Sequence, residues 1–288
     1  MVRRLFLSCS CLLACFGATG AFAAQSYDNC VGFIDSLPAV IGTQGVWCLR
    51  QNLSTAMSQG NAIEVQTNNV TIDCNDFKLG GLAADPPEGQ TLAIGVRALD
   101  RHNVTVRNCN VRGFRDGINL YGGGGHEVVD NRVDNSVSHG ILVYSPDAGA
   151  GSIVAGNAVY DTMSVNHAVY GTQGYGIYVT GDAVGNIVSG IQAGFGSAFG
   201  IYVQAAGTEV RGNTVRDIAA AGETFAYGIY VTDRVAVRDN TVFVDDGPVN
   251  GFGVYGNGSD NVCSRNTVIG FQTGYFGCEG SGGNLAIQ

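Results

Sequence analysis

The sequence has one lysine, Lys78, one tryptophan, Trp47, and, beyond its first residues, no apolar run long enough to cross a bilayer. A spanning helix needs about 20 apolar residues, so the chain after residue 23 holds no membrane helix. The start itself, with Arg3 and Arg4 ahead of an apolar run from Leu5 to Phe16 and the small-residue site Ala21-Phe22-Ala23, has the layout of a secretory signal peptide, 1–23. Cationic charge is scarce: without that leader, 13 basic residues face 24 acidic ones, a net charge of about −11 with histidine neutral. A phosphate backbone is repelled by such a surface, which disfavours non-specific nucleic-acid binding. An acidic polysaccharide would need a local basic patch or a divalent cation. No Cys-x-x-Cys pair or Cys/His cluster has zinc spacing, and helical periodicity is almost absent. The lone lysine is expected to protect a sheet edge, and Trp47 to fill the core of an N-terminal cap.

What is present is a repeat. Gly-Ile-Tyr-Val occurs at 176–179, 200–203 and 228–231, and weaker copies begin at Gly95, Gly117, Gly140, Gly253 and Gly274. The intervals between these glycines are 22, 23, 36, 24, 28, 25 and 21 residues, a fixed unit carrying loops of variable length. A second half of each unit places an asparagine two residues before an apolar one, at Asn75, Asn131, Asn157, Asn213, Asn240 and Asn266. Asparagine tolerates a left-handed turn and its amide bonds neighbouring backbone, so stacked copies are expected to form a hydrogen-bonded ladder. Each unit then reads as three short strands in about 22 residues, preceded by a cap at 24–61 that lies outside the regular repeat and covers the open end. The repeat proper occupies 62–288.

Six cysteines remain after the leader, an even number that reads as disulfides in an exported protein. Six allow 15 pairings. Position in the repeat favours Cys30–Cys48, Cys74–Cys109 and Cys263–Cys278.

The pattern from 62 to 278 resembles the parallel β-helix repeat family within the pectin-lyase-like superfold. That resemblance implies an all-β, single-domain right-handed parallel β-helix of about nine coils, and a substrate groove on the face of the first strand. Alternation turns Ile177 and Val179 inward and Tyr178 outward, so the outward row is Glu64, Arg97, Asn119, Leu142, Tyr178, Tyr202, Tyr230 and Tyr255. Loops at 81–94, 160–175 and 217–227 would wall the groove. The tyrosine row is expected either to offer ring faces to sugars or simply to stabilise the sheet as a ladder. Asn119, Tyr121, Tyr178, Tyr202, Tyr230 and Tyr255 are the substrate-binding candidates.

Chemistry is expected in coils 95–145, where Arg97, Arg101, Arg107, Arg112, Arg115 and Arg132 gather with His102, His126, His139, Asp100, Asp116, Asp130 and Asp134. His139-Gly140-Ile141 resembles a coil start in mannuronan C5-epimerases. The resemblance implies His139 as acid or base, Arg97 or Arg115 neutralising a uronate carboxylate, and Tyr121 or Tyr144 as proton partner. The Asp-Pro-His segment of those enzymes is missing, and Tyr121-Gly122-Gly123-Gly124-Gly125-His126 stands there instead, with His126 as the substitute. Ca²⁺ is the cofactor candidate, with Asp182 and Asp245-Asp246 as acidic groups. The expectation is a secreted or periplasmic protein that binds or modifies a polysaccharide, by lyase or C5-epimerase chemistry. The alternative is a non-catalytic glycan-binding or adhesion module. A hydrolase ranks last, since it needs paired carboxylates and only Glu64 sits in the central outward row.

Overall fold

The computed structural model describes residues 27–82, 91–146, 151–164, 173–280 and 282–288. The expected signal peptide, 1–23, and the 83–90 and 165–172 parts of two expected groove walls lie outside the described residues. Within them every regular element is a strand, and no helix is long and apolar enough to cross a membrane.

The chain winds as a right-handed parallel β-helix, and each coil gives one strand to each of three parallel sheets. In the coil that starts the regular repeat, Asn61–Val65 joins the first sheet, Val70–Asp73 the second and Lys78–Gly80 the third. From Asn61 onward the first sheet holds nine strands, ending at Phe271–Phe276. The cap segment is itself a coil: Ala39–Ile41 pairs with Asn61–Val65, Gly45–Leu49 with Val70–Asp73, and Leu53–Ser54 with Lys78–Gly80. Lys78 is therefore one strand in from the edge of the third sheet, not on it. Trp47 is partly buried against the core, and its Nε1 donates to Thr43 O at 3.1 Å. The disulfides are Cys30–Cys48, Cys74–Cys109 and Cys263–Cys278.

The core consists of rows of like residues. Ile118, Ile141, Ile177, Ile201, Ile229 and Val254 stack from the first sheet, and Val133, Val159, Val188, Val215 and Val242 from the third, all with no solvent exposure. Branched side chains fit the pleat, and burying each contributes about 1.5–3 kcal/mol. The repeat glycine is required by closeness rather than by backbone angle. A Cβ on Gly200 would come within 2.5 Å of both Gly228 O and Val215 Cγ1, because the first and third sheets converge there.

The asparagine ladder runs through Asn131, Asn157, Asn186, Asn213, Asn240, Asn266 and Asn284. From Asn157 onward each Oδ1 accepts the backbone N–H and the side-chain amide of its predecessor; for Asn213, from Asn186, the distances are 2.9 and 3.0 Å. Two expectations change. Asn75 is outside the ladder, its Nδ2 donating to Leu49 O at 3.0 Å instead. The left-handed residue is the one before each ladder asparagine, such as Asp130, Gly156, Gly212, Asp239 and Arg265, with φ between 53° and 67°. The asparagine side chain fills the turn while its predecessor bends it.

The expected wall at 217–227 is also smaller than the repeat suggests. Thr214–Ala220 continues as a third-sheet strand, pairing Ile218 with Ile191, so only about five residues remain before the strand at Ala226.

Candidate functional site

On the outside of the first sheet three columns of side chains run parallel to the helix axis. The central column is the expected outward row, with Glu64, Arg97, Asn119, Leu142, Tyr178, Tyr202, Tyr230 and Tyr255 in register. On one side stand Asp116, His139, Tyr175, Phe199, Tyr227 and Phe252. On the other stand Leu99, Tyr121 and Tyr144.

Strict alternation hides the column at Tyr175, because Tyr175 and Tyr178 are both half-exposed while Gly176 and Ile177 between them are both buried. The chain turns a corner at Gly176, and two successive residues face inward.

The aromatic columns stack on themselves. Tyr202–Tyr230, Tyr230–Tyr255 and Tyr255–Phe276 have centroids 4.7, 5.1 and 4.9 Å apart with planes within 19°. Tyr175–Phe199 and Phe199–Tyr227 repeat this at 4.8 and 4.9 Å. Ring faces of Tyr202, Tyr230 and Tyr255 are thus engaged by one another, the arrangement of the ladder alternative. Ring edges and phenol groups are what point outward. Burial pushes the phenols of Tyr175, Tyr178 and Tyr202 up, and that of Tyr230 up to about 12, which keeps them protonated as donors. Tyr178 is further fixed by a hydrogen bond from its hydroxyl to Gln204 Oε1.

At the N-terminal end of these columns the chemistry changes. Asp116, with no solvent exposure, accepts from His139 Nδ1 at 3.0 Å, Arg115 Nη2 at 2.8 Å and Asn119 Nδ2 at 2.6 Å. Burial alone would raise its pKa, but His139 and Arg115 outweigh that and hold the carboxyl well below its usual range. An ionised Asp116 fixes the tautomer of His139: Nδ1 carries the proton and the lone pair lies on Nε2. The imidazole is flat on Tyr175, with centroids 4.9 Å apart and planes 3° apart.

Arg97 donates to Asn119 Oδ1 and lies over Tyr121 at 5.7 Å. Burial lowers its pKa, partly offset by the charge of Asp116. Tyr121 packs on Tyr144 at 4.9 Å, Tyr144 on Tyr178 at 6.1 Å, and Tyr178 lies 6.4 Å from His139. His139, Asp116, Asn119, Arg97, Tyr121, Tyr144 and Tyr178 therefore form one circuit around buried Leu142, with Arg115 joined to it at Asp116.

Other sequence candidates stand elsewhere. His126 is fully buried, its Nε2 3.0 Å from Gly122 O and its Nδ1 accepting from Val104 N–H at 3.4 Å, so it supports a turn and does not reach the face. Arg107 pairs with Asp73 on the second sheet, and Arg112 and Arg132 pair with Asp134 on the third. Asp182 caps the neighbouring coil by accepting from Glu209 N–H at 2.8 Å. Among the described residues no three His, Cys, Asp or Glu gather as a metal would require. Asp116 was visible in the sequence only as one of several acids, yet it is the group to which the others attach. Its signal is its place directly before a repeat glycine, where the later coils carry an aromatic ring.

Residues 39–189 match the model of the family described as right-handed beta helix region. The chain belongs to that family. No curated relative matches it. Among solved β-helix structures it is similar to the Dettilon tailspike protein, at 13% identity and TM-score 0.51 over 88% of this chain and 60% of the tailspike. A surface adhesin of Streptococcus pneumoniae aligns at 10% identity and TM-score 0.45, over 89% of this chain and 82% of the adhesin. The A-module of an Azotobacter vinelandii mannuronan C-5 epimerase aligns at 12% identity and TM-score 0.42, over 86% of this chain and 80% of the module. At such identities the likeness is one of fold.

Proposed function

We propose that this β-helix is an exported protein that binds an acidic polysaccharide along the first sheet and abstracts the proton at C5 of a uronate unit at His139. The observation that carries the reading is the Asp116–His139 pair, with Arg97 in the same circuit and Arg115 joined to it at Asp116. A proton α to a carboxylate is removed more easily when cationic groups stabilise the charge that develops on the carboxylate. In this reading His139 Nε2 takes the C5 proton and Arg97 or Arg115 holds the carboxylate. Either O4 then leaves, protonated by Tyr121 or Tyr144, with a C4=C5 bond formed, or one of these tyrosines returns a proton to the opposite face. The first outcome is a lyase and the second an epimerase. Tyr202 and Tyr230, held protonated, serve as hydrogen-bond donors to the flanking sugars.

The stacked rings favour a second reading, a glycan-binding or adhesion module in which the phenol row supplies attachment and His139 none of the chemistry. The fold itself supports either.

A panel of alginate, pectate, polygalacturonate and a glycosaminoglycan separates the two. Absorbance of unsaturated uronate reports elimination and NMR reports epimerisation. Turnover abolished by His139→Ala with polymer binding retained is expected. No turnover on the panel, together with binding unaffected by His139→Ala, would remove the catalytic reading and leave the module.

A further inference from the structure

Glu64 and Arg97 lie directly opposite each other on neighbouring strands of the first sheet. Opposite charges in that position ordinarily pair. These do not: the Glu64 carboxylate accepts from Asn61 Nδ2 at 3.3 Å and Gln66 Nε2 at 3.0 Å, while Arg97 turns away to Asn119 and the Tyr121 ring. Between them opens a cleft of about 330 Å³, lined also by Asp100 and Arg101.

The cleft has a surplus of donors. Both Glu64 oxygens are already engaged by amides. Arg97 uses only Nη1, and Arg101 only Nε, which donates to Leu99 O at 2.9 Å. Among the described residues neither guanidinium is ion-paired at bonding distance, so the remaining N–H groups of two arginines border one polar space. Guanidinium groups match carboxylates in a bidentate geometry.

We propose that this cleft is a subsite for a carboxylate-bearing sugar, next to the unit at His139, with the carboxylate on Arg97 and Arg101 and sugar hydroxyls on Asp100. The subsite rests on reading the first sheet as an acidic-glycan face, but it is a binding site and can be tested without turnover.

The test is an NMR titration of the arginine Nε–Hε signals of the ¹⁵N-labelled chain with sodium galacturonate, glucuronate and mannuronate, and with galactose as the uncharged control. At least one uronate should move the Arg97 and Arg101 signals while galactose moves neither. Arg101→Ala should then raise Kd for the corresponding uronate trimer about fivefold or more, and Arg216→Ala, on the third sheet, should leave it unchanged. Silence of the Arg101 signal with all three uronates, or an unaltered Kd in Arg101→Ala, overturns the subsite. Turnover with no such shift would sink the subsite alone. Shifts with no turnover on any polymer would sink the His139 reading and leave the subsite standing.

Discussion

At Asp116 a carboxylate without solvent exposure is held ionised by His139, Arg115 and Asn119. Removing one partner of a buried charge network leaves the others desolvated and unpaired, a loss of about 3–5 kcal/mol. Asp116→Asn keeps the shape but cannot hold His139 Nδ1–H as a carboxylate does. On the lyase or epimerase reading it should lower kcat at least 100-fold with a smaller change in KM; a variant of unchanged kcat would remove Asp116 from the chemistry. Because the folded pKa is depressed, Asp116 stabilises the fold above the ordinary carboxylate pKa of about 3.9, and this stabilisation is lost as pH falls below it. His126 acts in a separate window. Burial lowers its pKa from the ordinary 6.5, so below about 6.5 the unfolded chain takes a proton that the folded chain refuses, and stability falls by up to about 1.4 kcal/mol per pH unit. Thermal unfolding from pH 7 to 5 should be less pH-dependent in His126→Gln than in the parent. Equal slopes would show that His126 is not the group responsible.

At the scale of the coil, turn and ladder divide the labour between adjacent residues. Asn213 donates to Ala183 O and Asn240 Oδ1, both at 2.9 Å, and its Oδ1 receives the backbone N–H and amide of Asn186. Asn213→Ala leaves several of these buried groups unpaired, at about 1–3 kcal/mol each, and should cost about 3 kcal/mol or more in denaturant unfolding. Asn284→Ala, at the half-exposed end of the ladder, should cost about 1 kcal/mol; equal losses would mean the ladder is not cooperative with the core. The glycines separate in the same way. Gly212, at φ 66° with nothing within 4 Å of a Cβ, should accept Asn within about 1–2 kcal/mol, since Asp239 holds the same turn at φ 58°. Gly200→Ala must displace a backbone carbonyl at 2.5 Å and should cost about 1–3 kcal/mol or more. Periodicity made the coils and the core rows legible, because every coil repeats one steric problem. The column at Tyr175 was illegible to strand alternation, since the corner at Gly176 breaks the period of two. The use of the tyrosine faces was equally hidden: a row of identical rings reads the same whether it stacks on itself or offers itself to a ligand. His139, Arg97 and Arg115 could be named from residue type, but their convergence on Asp116 depends on register between coils 22 and 23 residues apart.

Over the whole molecule, charge and site oppose each other. Residues 24–288 carry about −11 with histidine neutral, yet Arg97, Arg101 and Arg115 are placed on or beside one stretch of the first sheet. A short acidic sugar feels chiefly these arginines at contact distance, whereas a long acidic polymer also feels the negative body around them. Salt acts differently on the two contributions: the screening length falls from about 30 Å at 0.01 M to about 8 Å at 0.15 M. Long-range repulsion is therefore removed first, while guanidinium–carboxylate contacts inside a partly closed cleft are screened less. The expected result is that the ratio of polymer affinity to trimer affinity, measured by calorimetry with the same uronate, rises over that range of salt. Nucleic-acid-like behaviour, in which polymer affinity falls most steeply with salt because many cationic contacts release counterions, would contradict it. In that case the polymer would be held by a basic surface much broader than the two-arginine cleft, and the site would have to be sought elsewhere on the solenoid.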